Sequence, residues 1–103
     1  MAAVQVVNYP VPNGTAADER LTVSNAVVSL TGSNIASNTQ FIVWDVQNAD
    51  IMVTFDGSNP TTTNGHRLYA GDRDTWHVNT AKVAKFIRAT GTDGVFHASQ
   101  FNY

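Results

Sequence analysis

From Leu21 onward, short apolar clusters alternate with turn-forming residues at the spacing of strands. Leu21-Thr22-Val23 and Ala26-Val27-Val28-Ser29-Leu30 are separated by Ser24-Asn25, and Gly32-Ser33-Asn34 closes the pair. Gln40-Phe41-Ile42-Val43-Trp44-Asp45-Val46 is dense in β-branched and aromatic residues and gives the strongest strand signal. In Asp50-Ile51-Met52-Val53-Thr54-Phe55-Asp56 the alternation puts Ile51, Val53 and Phe55 on one face and Met52 and Thr54 on the other. Arg67-Leu68-Tyr69, Asp74 to Val78, Lys85 to Thr90 and Gly94 to Ser99 continue the series. Asn79-Thr80-Ala81-Lys82-Val83-Ala84-Lys85 predicts a single helical turn with Asn79 or Thr80 as its N-cap. Gly91-Thr92-Asp93-Gly94 predicts a tight turn that makes a hairpin of the last two strands.

The first residues follow another rule. Asn8-Tyr9-Pro10-Val11-Pro12-Asn13-Gly14-Thr15 holds two prolines, which bar a helix and regular ladder pairing, so this stretch is expected to be extended or looped over a surface. Together with Val4, Val6 and Val7 it pairs within its own domain or reaches onto a neighbouring subunit, and the residues alone leave both open. The expected organisation is an arm or first strand over residues 1–19 and one domain over 20–103. Its fold class is all-β: a β-sandwich or jelly-roll-like barrel with an extended N-terminal arm and at most one short helical turn.

Composition sharpens this picture. Only 14% of the 103 residues are charged, against ~25% in ordinary globular proteins; Thr, Asn and Ser take their place, which suits half-buried strands and polar turns better than exposed helices. A net charge of -2 argues against affinity built on neutralising many phosphates, so no direct nucleic-acid partner is expected. No stretch approaches the ~20 apolar residues of a membrane helix, and the start lacks a signal-peptide pattern. The chain reads as a soluble, unprocessed product of the cytoplasm. Without cysteine there is no disulfide, thiol nucleophile or cysteine-based metal site.

No constellation carries catalytic chemistry. No serine sits in a nucleophile-elbow pattern, and His66, His77 and His97 read as hydrogen-bonded or surface imidazoles. Asp72 and Asp74, with Asp93 or Asp56, offer carboxylates to a hard cation but lack EF-hand spacing, and turn aspartates usually cap backbone amides. Gly91 to Gly94 is not a phosphate loop. The expectation is therefore a protein that is not an enzyme, with no cofactor and no metal. Lys82, Lys85 and Arg88 form the basic cluster, either a solvated face or a contact for an acidic protein surface. Trp44 is expected in the core or at a subunit contact, and Trp76, in a more polar stretch, at an exposed contact.

The most distinctive run extends from Asp50 to Asp72: a strand, then Asp56-Gly57-Ser58-Asn59-Pro60-Thr61, then Gly65-His66-Arg67-Leu68, then Ala70-Gly71-Asp72. Asp56 is placed to accept amide hydrogen bonds, Gly57 permits positive φ, Pro60 rigidifies the loop, and Gly65 and Gly71 mark bends. With Phe86-Ile87-Arg88-Ala89 and Val95-Phe96-His97-Ala98, this run resembles small β-rich virion proteins of tailed bacteriophages over roughly residues 40–101. Asp-Gly-Ser-x-Pro-Thr also occurs in immunoglobulin-like modules appended to chitinolytic enzymes, so the Gly-His-x-Leu and Phe-Ile-Arg-Ala elements discriminate. The resemblance implies a capsid decoration (cement) protein: a homo-oligomer, dimer or trimer, that binds the major capsid protein on the capsid exterior after assembly in the host cytoplasm. Tyr9, Val11, Arg20, Trp76, Lys82, Lys85 and Arg88 are the expected partner contacts. A tail, neck or fibre-associated virion component and a carbohydrate-binding module, the latter resting on Trp44, Trp76 and the shared motif, are the alternatives.

Overall fold

A computed structural model describes residues 13–103; the expected strand at Val4, Val6 and Val7 and the arm contacts Tyr9 and Val11 lie outside the described residues. The elements in chain order are β1 (Asn13–Gly14), β2 (Glu19–Val23), a 3₁₀ turn (Gly32–Asn34), β3 (Phe41–Gln47), β4 (Ile51–Thr54), β5 (His66–Leu68), β6 (Arg73–His77), α1 (Val78–Val83), β7 (Lys85–Arg88) and β8 (Gly94–Asn102). They form two antiparallel sheets packed as a β-sandwich. In the larger, β8 pairs with both β1 and β2 on one side and with β3 on the other, and β6 lies beyond β3. The smaller has the order β5-β4-β7.

The two-residue period explains the core. Ile42, Trp44 and Val46 of β3 and Phe96 and Ala98 of β8 face inward from one sheet, and Ile51, Val53 and Phe86 face them from the other. Phe96 is at the centre of this layer, with ring centroids 4.4 Å from Phe86, 5.3 Å from Trp44 and 5.4 Å from Trp76. Ala81 of α1, Ala84 and Leu30 close the margins of the core. The outward face of β4 is covered as well. Met52 and Thr54 are buried, Thr54 Oγ1 donates to the Ser58 carbonyl at 2.6 Å, and Pro60 is fully buried, so the 56–65 loop folds back over the smaller sheet.

Several local expectations change. The last two strands do not form a hairpin, because β7 and β8 belong to different sheets. The intervening residues form a corner, tied by the Arg88–Asp93 ion pair at 2.9 Å and by Asn48 Nδ2 donating to the Asp93 carbonyl at 2.7 Å. Turn residues between two strand-like runs are compatible with either outcome; packing of Phe86 against Phe96 selects the crossing. Ala26 to Leu30 is not a strand. It crosses from the larger sheet to the smaller and makes one bridge, Val28 to Phe86, with both backbone bonds formed. The helical turn starts earlier than expected: His77, not Asn79 or Thr80, is the N-cap, its Nδ1 accepting from the Asn79 amide at 3.1 Å. This start brings Val78 and Ala81 inward. Paired structure also begins ahead of residue 20, since Glu19 opens β2 and Asn13 and Gly14 pair with Asn102 and Phe101.

Candidate binding groove

The 50–72 run builds the two ends of the smaller sheet. At the end where β4 starts, Asp50 accepts from the Ala70 amide at 2.8 Å and from Arg67 at 2.7 Å. The Arg67 guanidinium also lies over the Tyr69 ring, 5.4 Å from its centroid. At the opposite end, Asp56 Oδ1 accepts from the Ser58 amide at 3.0 Å and the Ser58 hydroxyl at 2.6 Å, as the motif predicts. Gly57, Gly65 and Gly71 all have positive φ. At Gly65 the demand is double, because a Cβ there would also stand 2.8 Å from the Val53 carbonyl oxygen.

These hydrogen bonds hold both carboxyls below the usual range: Asp50 through the Ala70 amide and then Arg67, Asp56 through the Ser58 hydroxyl and then its amide. A depressed folded value means stability that is present above the ordinary value of 3.8 and lost as pH falls through the lowered one. The contribution of these two carboxyls to the urea midpoint is therefore expected to be complete above about pH 5 and to fall below about pH 4. In Asp50→Asn that acid-side fall should be shallower; an identical pH profile would show that Asp50 does not contribute.

A groove opens at the Asp56 end. Phe55 and Asp56 lie between two adjoining clefts, one of about 440 Å³ reaching Asn64, Gly65 and His66, the other of about 420 Å³ reaching Lys82, Val83 and Lys85. The fold thus brings three sequence candidates to one region: Lys82 and Lys85 line the second cleft, and Trp76 packs edge-on against Phe55, centroids 5.2 Å apart. Trp76 is not the exposed platform expected. Its ring is half-buried, stacked on Phe96 and Phe86 and tilted against Trp44. Trp44 is in the core, one of the two places expected, with no partner for its indole N–H among the described residues.

The basic cluster does not make one face. Lys85 and Arg88 are three apart on β7 and so point to opposite sides of the sheet. Lys85 Nζ donates to the Gly57 carbonyl at 2.9 Å, and Arg88 is spent on Asp93. Arg20 lies on the outer face of the larger sheet and donates to Gln47 Oε1 at 2.6 Å. The carboxylates considered for a metal are engaged separately: Asp72 with the Tyr69 amide, Asp74 with the Thr75 amide, Asp93 with Arg88.

Sequence reading missed a second surface. Val43, 39% exposed, lies on the outer face of the larger sheet beyond Phe41, which stacks on Phe101 at 5.6 Å and is tilted against Tyr103 at 5.0 Å. The alternation in β3 held the signal: with Ile42, Trp44 and Val46 inside, Phe41 and Val43 must face out.

Three of the strand edges, those of β5, β6 and β7, are guarded. Val78 N bonds to Gln40 O and Val46 N to Asp72 O, a phase that turns the Thr75 amide of β6 away from β3. Asp74 Oδ1 caps that amide at 2.7 Å. β5 is three residues long, and the free side of β7 is bridged by Val28 and by Arg88 N donating to Ser24 O. Fold and surface thus define the class as a small β-sandwich domain with a polar-and-aromatic groove at one end and, on a mostly polar outer face, an apolar patch of Phe41, Val43, Phe101 and Tyr103. Comparison with protein-family models, with curated proteins and with solved structures finds no match.

Proposed function

We propose that this chain is a non-enzymatic virion structural protein of a tailed bacteriophage, a capsid decoration protein that binds the major capsid protein and stabilises the assembled head. The sequence supports this through the resemblance carried by residues 50–72, Phe86 to Ala89 and Val95 to Ala98. The observation that carries the adhesive reading is the exposed apolar patch of Val43, Phe41 and Tyr103 on the outer face of the larger sheet. Side-chain burial on this patch is then the mode of association. A homo-oligomer, dimer or trimer, set over a junction between capsid subunits would bury this face and resist the outward pressure of packaged DNA.

Copy number in purified virions tests the location. Hundreds of copies are expected for a capsid component; a dozen or fewer would assign the chain to the tail or neck, and none would end the virion reading. Val43→Asp tests the surface. The side chain is outside the core, so the melting temperature should stay within a few degrees, because surface substitutions usually change stability by less than ~0.5 kcal/mol. Capsid occupancy should fall at least ~10-fold, the ratio that corresponds to ~1.4 kcal/mol. Unchanged occupancy would remove this face from the interface.

A further inference from the structure

We propose that the cleft over Phe55 is a binding site for a neutral, polyhydroxylated ring, one sugar unit of a glycan, held between the Phe55 ring and the polar groups of Asp56, Asn64 and His66. The proposal is independent of the virion reading and uses none of the residues on the outer face of the larger sheet.

The exposed side chains of Asp56, Asn64 and His66 keep hydrogen-bonding capacity that the described residues do not use. Asp56 uses Oδ1 for Ser58, which leaves Oδ2 as an acceptor of fixed orientation. Asn64 engages Thr61 through its backbone alone, so its amide retains both donor and acceptor capacity. The His66 ring lies 5.8 Å from the Phe55 ring, centroid to centroid, and its imidazole makes no hydrogen bond among the described residues. One aromatic ring is therefore edged by an acceptor, an amide and an imidazole, all lining the same recess.

The loop presenting them is built in advance of any ligand. Thr54 anchors Ser58, Thr61 closes the 61–64 turn in both directions, Pro60 is buried, and Gly65 lies against the Val53 carbonyl where no other residue fits. A preorganised site loses little entropy on binding. Its volume, about 440 Å³, is within the ~300–1,000 Å³ of typical small-ligand sites.

A fixed carboxylate repels phosphate and carboxylate groups, and one carboxylate beside an amide is far short of the ~6–8 oxygens a calcium ion wants. A ring with an apolar face and hydroxyls at its rim matches the set: the face stacks on Phe55, and adjacent hydroxyls donate to Asp56 and Asn64. The second cleft shares Phe55 and Asp56, so a neighbouring unit continues toward Val83 and Lys82.

The test is a titration of the ¹⁵N-labelled full chain with maltotriose, cellotriose and triacetylchitotriose, followed by amide chemical shifts. At least one is expected to give saturable shifts at Thr54 to Asp56, Ser58 and Asn64 to His66. Asp56→Asn and Asn64→Ala should each weaken that binding roughly 10-fold, the loss expected for one hydrogen bond of ~1.4 kcal/mol. Phe55→Leu keeps an apolar side chain of somewhat smaller volume and should abolish stacking; the dispersion of its own spectrum reports whether it folds. No saturable shift with any of the three sugars, shifts centred outside the groove, or unchanged affinity in both polar variants would overturn the proposal. So would adenosine binding the cleft in place of all three sugars.

Discussion

Truncating Phe96 to alanine is expected to cost ~3–5 kcal/mol, the usual range for removing a buried phenyl ring. Phe96 has no exposed surface and touches the rings of Phe86, Trp44 and Trp76, so its loss opens a cavity where the two sheets meet, bordered by three other large side chains. Those neighbours are held by their own strands and cannot collapse into the space. For a domain with ~5–15 kcal/mol of total stability this is a large share, equivalent to a fall of about 12–30 °C in melting temperature. Phe101→Ala supplies the comparison, because Phe101 stacks on Phe41 at the surface of the same sheet and is only half-buried. Thermal and urea unfolding of both variants should rank Phe96→Ala as clearly the more damaging. Equal losses would mean that the aromatic layer is not the centre of the core.

Gln100→Leu is expected to rival it while changing almost no volume. Gln100 is 3% exposed, and its side chain makes three bonds: Oε1 accepts from the Ala36 amide at 3.0 Å and the Thr39 hydroxyl at 2.9 Å, and Nε2 donates to the Asn34 carbonyl at 2.7 Å. Leucine would leave these partners unsatisfied against an apolar side chain, at ~1–3 kcal/mol for each group that stays buried. We expect a loss of ~3 kcal/mol, with some relief as water reaches the 34–39 segment. The damage should also spread. Thr39 Oγ1 bonds Thr15 Oγ1 at 2.6 Å, and the Thr15 amide donates to the Gln100 carbonyl at 3.0 Å, so the chain entering β2 hangs on the same residue. Hydrogen exchange should accelerate first at Ala36 and Thr39. A variant as stable as the parent, with unaltered exchange there, would show that Gln100 fills space without pinning the segment.

The strands from β3 onward were legible because each carries its own signal. Ile42, Trp44 and Val46 alternate with outward residues, and Asp56-Gly57-Ser58 announces its turn by chemistry that acts within three residues. The candidate groove was legible only in pieces. Lys82, Lys85 and Trp76 stood out as residue types, but nothing local says that Lys85 reaches the Gly57 carbonyl 28 positions away or that Arg88 is neutralised by Asp93. Phe55, the residue joining both clefts, read as one more inward strand position.

What the sequence by itself determined is what depends on neighbours along the chain: the all-β class, the inward and outward sets of each strand, and the glycines and aspartates that make the turns. Steric limits on φ and ψ and the two-residue period act over a few residues and need no fold to express them. Tertiary structure decided the rest. It placed β7 and β8 in different sheets, turned Trp76 inward, buried Gln100 with three partners and assembled a groove from the 54–66 and 82–85 segments. Each of these rests on contacts between distant residues, and the free energy of closing the core around Phe86 and Phe96 selects among local alternatives that the chain alone leaves nearly equal.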